Sequence, residues 1–203
     1  MVPLPSDEDL ALRAQRGCPD SFEELVRRFQ VPLVHFLRQR AGTEEAEDLA
    51  QDTLLRAYEN LHRYRPAWKF GTWLFTIARR LNLNRMRRRE PATDSDALSE
   101  VESPVASPAA IVAEEENRQR LWETAAAVLS EPQITALWLY YVEEMAVKEI
   151  ARVVGRSRVA VKTMLFRSRK KLLPMLDELQ NDTPNDGNQP NKTSRPAVEV
   201  SHG

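Results

Sequence analysis

The sequence predicts an all-α fold, two small helical domains joined by a flexible linker. Three observations point there. Apolar residues recur at three-and-four spacing through most of the chain, and no stretch alternates as a strand would. That periodicity dissolves once inside the chain, over residues 90–114, where Pro91, Pro104 and Pro108 sit among Ser, Asp, Glu and Ala. Charge divides at the same places. Residues 1–89 carry 16 Lys/Arg against 12 Asp/Glu, residues 90–121 carry 2 against 8, and residues 122–179 carry 9 against 7. A formal net charge of −1 therefore conceals a basic, acidic, basic order, the pattern of domain, linker and domain.

In chain order, Asp20 with Glu23 three residues on forms a capping-box pattern ahead of Phe22, Leu25, Val26 and Phe29 on one helical face. Pro32 is expected to kink or restart that helix before Leu33, Phe36 and Leu37. Thr43 is placed to cap the next helix, whose first turns hold Glu44, Glu45, Glu47 and Asp48, where the helix dipole favours negative charge. Its apolar face is Leu49, Leu54, Ala57, Tyr58 and Leu61. A break containing Pro66 follows, then an amphipathic segment with Trp73, Leu74, Ile77, Ala78 and Leu81.

Beyond the linker, periodicity returns with Leu121, Trp122, Ala125, Val128 and Leu129. Ser130 with Gln133 is a second capping box, with Pro132 in the first turn, before Ile134, Leu137, Trp138 and Tyr141. The segment from Gln180, rich in Asn, Asp, Pro, Ser and Thr, is expected to be a disordered tail. The expected divisions are thus 1–89, 90–114, 115–179 and 180–203.

Several function classes find no support. The single Cys18 excludes an internal disulfide, and His35, His62 and His202 are scattered, so no zinc site or other metal or cofactor is expected. No secretory signal and no membrane-spanning run of apolar residues is evident, which predicts a cytoplasmic protein without membrane insertion. There is no acidic cluster with metal spacing, no nucleophile–base arrangement and no phosphate-binding glycine loop, so the chain is not expected to be an enzyme.

Two stretches look built to hold nucleic acid. Residues 147–172 read as a helix-turn-helix: Ile150, Val153 and Val154 give a first apolar face, Gly155 permits the left-handed turn, and Ser157 caps a second helix. In that second helix Val161, Leu165 and Leu172 face inward, leaving Arg158, Lys162, Thr163, Phe166, Arg167, Arg169 and Lys170 outward. From Arg156 to Lys171 there are seven basic residues and no acidic one, which favours DNA over an ordinary solvated helix face.

The other stretch precedes the linker. From Asn60 to Arg89 nine residues are basic and none acidic. Arg79, Arg80, Arg85, Arg87, Arg88 and Arg89 can neutralise phosphates, and Trp68, Phe70, Trp73 and Phe75 lie upstream. Aromatic rings beside guanidinium groups suit unpaired bases, which stack on the rings. Trp73 fits the core stripe, so Trp68 and Phe70, read as lying in the break before the helix, are the expected base contacts.

With these residues assembled, the chain resembles the extracytoplasmic-function (ECF) sigma factors, the smallest members of the sigma-70 family, over about residues 7–179. The run Ala46-Glu47-Asp48-Leu49-Ala50-Gln51-Asp52-Thr53-Leu54-Leu55-Arg56-Ala57-Tyr58 resembles the family's clamp-binding helix. The run Phe70-Gly71-Thr72-Trp73-Leu74-Phe75-Thr76-Ile77-Ala78-Arg79 resembles its promoter-melting segment, and Glu149-Ile150-Ala151 through Lys171-Leu172 its upstream-element reader.

The resemblance implies a non-catalytic factor that gives core RNA polymerase its promoter specificity, contacting the beta-prime clamp and the beta flap. Polymerase binding falls to Asp48, Gln51, Asp52, Leu55 and Arg56. Capture of the −10 element as single strand falls to Trp68, Phe70, Arg79, Arg80, Asn84, Arg87 and Arg88. Duplex readout of the −35 element falls to Arg156, Arg158, Lys162, Thr163, Phe166, Arg167 and Lys170. It also implies an anti-sigma factor as partner, and an acidic linker lying in the polymerase's nucleic-acid channel. Arg80 stands where the family commonly has Asn, Asn84 where it has Asp, and Met164 where it often has Arg. The first two departures make the strand-opening segment more positive. A stand-alone helix-turn-helix regulator would explain residues 147–172 but leave residues 46–89 without a role.

Overall fold

The computed structural model describes residues 4–41, 43–89 and 120–181, and among these there is no strand. The expected linker and most of the expected tail lie outside the described residues. Helix α1 spans Asp7–Gln15, α2 Pro19–Ala41, α3 Thr43–Glu59 and α4 Phe70–Arg89, with a short 3₁₀ turn at Leu61–Arg63. After the linker, residues 120–128 form α5. Then come α6 at Glu131–Tyr141, α7 at Val147–Val154 and α8 at Arg158–Asn181.

Helix α1 was not foreseen. It is short and mostly polar, but Ser6 caps it, its hydroxyl oxygen accepting from the Asp9 N–H at 3.1 Å. The helix buries Leu10 and Ala11 against its neighbours. It also does work at a distance. Glu8 accepts the Phe70 N–H at 2.9 Å, satisfying an orphan donor at the start of α4, and Gln15 donates to the carbonyls of Leu61 and Tyr64 at 2.6 and 3.0 Å. The loop between the 3₁₀ turn and α4 is thereby pinned from below.

Three details of the first domain depart from expectation. Helix α2 begins at Pro19, so Asp20 lies in its first turn rather than at its cap. The helix then runs through Pro32 to Ala41 without restarting. Tyr58 is exposed, resting its ring on Phe22 at 4.9 Å between centroids. Thr43 opens α3, and its side chain is outside the described set. Otherwise the predicted apolar face closes as a bundle of α1–α4 around Leu25, Leu33, Phe36, Leu37, Leu74 and Phe75, all essentially inaccessible.

The second domain packs α6, α7 and α8 against one another, with Trp122 of α5 tilted on Trp138 of α6 at 4.7 Å. The Gln133 side-chain oxygen accepts the Ser130 N–H at 3.0 Å, closing one half of the expected capping box. Gly155 ends α7 in the left-handed region, φ 67°, where a Cβ would strain the backbone although the space is open. Ser157 then accepts the Ala160 N–H at 3.1 Å and starts α8. Val161, Leu165 and Leu172 turn inward as the spacing predicted.

Candidate nucleic-acid interface

Helix α4 sorts its side chains by face. Trp73, Thr76, Ile77, Arg80, Asn84, Arg87 and Arg88 recur at three-and-four spacing and make one stripe, half-buried at the start and exposed from Arg80 onward. At its start the stripe forms one wall of a cavity of about 390 Å³, lined by Arg63, Tyr64, Arg65, Trp68, Trp73, Thr76, Ile77 and Arg80. Its floor is aromatic: the Tyr64 ring lies 5.5 Å from Trp73 and 5.6 Å from Phe70. The Tyr64 hydroxyl donates to the Trp68 carbonyl at 2.7 Å, and burial pushes the phenol's pKa upward, so it remains a donor. That bond holds Trp68 at the mouth, with its ring partly exposed.

Phe70 needs correcting as a base contact. It occupies the first turn of α4, not the break before it, and is 0% exposed, packed edge-on against Phe29 at 5.4 Å. Trp73 is half-buried against the core, as its place in the stripe predicts, and also lines the cavity. Arg63 and Arg65, two more basic residues of the acid-free stretch, join the lining beyond those the sequence pattern predicts.

Arg79 stands off the exposed stripe. Its guanidinium clasps Glu131 of α6 in two bonds, Nε to Oε1 at 3.0 Å and Nη2 to Oε2 at 2.7 Å, and its Nη1 donates to the Val153 carbonyl at 3.3 Å. Arg85 turns to a third face, 3.7 Å from Glu45. The α4 arginines therefore do not act as one patch.

The second domain's candidates are uniformly outward. Arg156, Arg158, Lys162, Thr163, Phe166, Arg167 and Lys170 are all exposed, Phe166 to 65%. Arg169 and Lys171 differ from the rest. The Arg169 guanidinium lies 5.9 Å from the Tyr141 ring centroid, and Lys171 donates to the Val128 carbonyl, tying α8 to the end of α5. On α3, Asp48, Gln51, Asp52, Leu55 and Arg56 form an exposed strip, with Leu55 an uncovered apolar residue among them.

An all-α pair of domains, one carrying a helix-turn-helix and the other an arginine-studded helix fronted by an aromatic cavity, defines a class of DNA-directing factor. The profile Sigma-70 region 2 matches residues 25–91, and Sigma-70, region 4 matches residues 119–172. The ECF RNA polymerase sigma factor SigM of Bacillus subtilis is 30% identical over 169 residues, covering 80% of this chain and 99% of SigM. The structure of CnrH in complex with the cytosolic domain of CnrY matches with a TM-score of 0.63 at 26% identity, over 86% of this chain and 99% of CnrH. RpoE of Bartonella quintana, solved with the anti-sigma factor NepR, shares the fold with a TM-score of 0.60 at 21% identity, over 80% of this chain and 98% of RpoE. The chain belongs to the sigma-70 family, among its ECF RNA polymerase sigma factors. Proteins of this family serve promoter-specific transcription initiation by RNA polymerase. No described helix is long and apolar enough to cross a membrane.

Proposed function

We propose that this chain binds core RNA polymerase, opens and captures the −10 promoter element with its first domain, and reads the −35 element as duplex with its second. The observation that carries the reading is the continuity of the α4 stripe. It leads from a cavity of about 390 Å³, walled by Trp68 and Trp73, directly onto Arg80, Asn84, Arg87 and Arg88. A cavity of that kind suits an unpaired base, and the exposed arginines beyond it suit the phosphates that follow. The domains divide as region 2 over 1–89 and region 4 over 115–179, with 90–114 between them.

The α3 strip is the proposed contact with the beta-prime clamp, and the second domain meets the beta flap. Asp48→Arg with Asp52→Arg should abolish holoenzyme formation while leaving the fold intact, because both side chains are exposed. Co-migration with core polymerase on gel filtration checks this; an unchanged complex refutes the assignment. Core polymerase with the wild-type chain, given a library of promoter fragments, should yield transcripts from a restricted subset. Transcription no more selective than core alone would defeat the whole reading. An anti-sigma factor is a further expected partner, supported by the NepR complex of the related RpoE.

A further inference from the structure

The cavity at the start of α4 is unequal in its hydrogen-bonding groups, and that inequality chooses among bases. Arg63, Arg65 and Arg80 all line it, and no carboxylate or side-chain amide does. Some of its polar groups are already engaged. The Arg65 Nη1 donates to the carbonyls of His62 and Tyr64 at 3.0 and 3.1 Å. The Thr76 hydroxyl donates to the Thr72 carbonyl at 2.7 Å, so what Thr76 can still offer is an acceptor. Arg63 and Arg80 are exposed and carry no such tie among the described residues. Of these two, Arg63 ends a short 3₁₀ turn, whereas Arg80 stands on α4, on the face that already carries Trp73, Thr76 and Ile77. A side chain on a long packed helix is held more firmly than one on a turn, which makes Arg80 the better placed to discriminate.

A guanidinium presents parallel N–H donors and no acceptor, so it pairs best with two adjacent acceptors. Guanine supplies them at O6 and N7, on an edge that carries no N–H. On the same edge adenine sets its amino group beside N7, thymine has one oxygen and a methyl group, and cytosine has only its amino group. Turning cytosine round brings O2 and N3 together, yet its amino group stays next to N3 and meets a wall of donors. Thr76 can accept an amino hydrogen from guanine, adenine or cytosine alike, so it does not separate them. The fork does, because guanine gains one more charge-assisted bond than adenine. We propose that the unpaired base held in this cavity is guanine, and that Arg80 selects it through O6 and N7. The proposal rests on the reading of this cavity as the −10 base site. It takes Arg80 out of the phosphate-binding set and leaves Arg87 and Arg88 to the backbone.

The test uses the full chain, alone and mixed with core polymerase, with core alone as the reference. The probes are fluorescent single strands of about 12 nucleotides, within the usual site range. Each is abasic except for one central guanine, adenine, cytosine or thymine, so only one base is on offer. The guanine strand should bind about tenfold more tightly than the adenine strand, an ordinary discrimination for a bidentate pair. A strand with 7-deazaguanine, which has carbon in place of N7 and keeps the stacking face, should lose that gain. Arg80→Lys retains the charge without the fork and should lower the guanine strand to the level of the others. Arg80→Asn offers a donor and an acceptor, the set that matches adenine, and should move the preference there. Arg63→Ala should weaken every strand by a similar factor and keep their order. Guanine preference in either state of the chain, lost with 7-deazaguanine and with Arg80→Lys, supports the proposal. Equal affinity for the four strands in both states overturns it. So does an Arg80→Lys chain that still prefers guanine, or a preference that vanishes with Arg63→Ala alone. A chain that prefers guanine but directs no selective transcription retains the cavity assignment and loses the sigma reading. Selective transcription by a chain indifferent to the four bases does the reverse.

Discussion

Helices α4 and α8 each carry a run of arginines and lysines, yet they deploy them differently. On α8 the candidate DNA residues point to solvent, and the apolar positions Val161, Leu165 and Leu172 are confined to the opposite side. On α4 the arginines divide among three destinations: Arg79 to Glu131, Arg85 to Glu45, and Arg80, Arg87 and Arg88 to solvent. Aromatics follow the same contrast. Phe166 of α8 is largely exposed, whereas Phe70 and Phe75 of α4 are core and Trp73 is shared between core and cavity. A run of like charges states how much charge a segment has, and only its register on the helix states where that charge goes.

The largest effect expected from pressing this comparison separates packing from recognition at two positions either side of the start of α4. Phe70→Ala should destabilise the first domain by about 3–5 kcal/mol, the usual cost of emptying a buried aromatic site. Trp68→Ala should leave stability nearly unchanged and instead weaken open-complex formation by roughly 1–3 kcal/mol, the value of stacking on one base. Chemical denaturation and permanganate footprinting on duplex and pre-melted templates tell the two apart. Equal loss of stability in both variants would make Trp68 merely structural.

On α8 the comparison sharpens from one residue to the next. Lys162→Ala or Arg167→Ala should relax base preference at the −35 element by roughly 1–3 kcal/mol. Lys170→Ala should weaken all sequences alike and reduce the salt slope by about one. Affinities on a randomised −35 library at two salt concentrations distinguish them. A preference that shifts with Lys170 and not with Arg167 would put the reading face elsewhere on the helix.

The turn that aims α8 gives a smaller effect. Gly155→Ala places a Cβ on a backbone at φ 67°, a conformation that costs an L-residue about 1–2 kcal/mol. The second domain should melt earlier, with first-domain unfolding unmoved. The smallest effect concerns Glu143, which accepts the Trp138 Nε1–H at 3.2 Å and whose carboxyl pKa is raised by burial. A raised carboxyl holds its proton more tightly in the folded state. Its contribution is therefore complete below the ordinary carboxylate pKa and is lost as pH rises through the raised value. Glu143→Gln should leave acid stability alone and slightly increase stability at neutral pH, read as denaturation midpoints at the two pH values.

Most of the helical layout was legible in the sequence, because a bundle helix buries one face and that face repeats every three to four residues. Helix α1 escaped because DEDLALRAQ has too little apolar content to show a stripe, and only Ser6 with Asp9 marks its start. Phe70 reads as a loop residue because the apolar stripe first shows at Trp73; α4 starts three residues earlier, with the Phe70 N–H bonded to Glu8 and its ring in the core. Pairings such as Arg79 with Glu131 lie 52 residues apart on different domains, and no local pattern encodes them. The cavity likewise needs the 3₁₀ turn, the loop and α4 at once, held by bonds from α1 that the sequence does not advertise.

Helix α4 packs on α7 and its neighbours through apolar and polar contacts together, the Met145 side chain against Gly71 and Glu131 against Arg79, and that mixture governs how the chain comes apart when heated. The halves are unequal: a unit of about 60 residues shields only about 60% of the surface its unfolded chain would expose, which leaves the region from α5 to α8 the more fragile. Parting α7 from α4 would deprive that half of its supporting wall. Unless another partner takes its place, the open molecule is also the one a protease meets first.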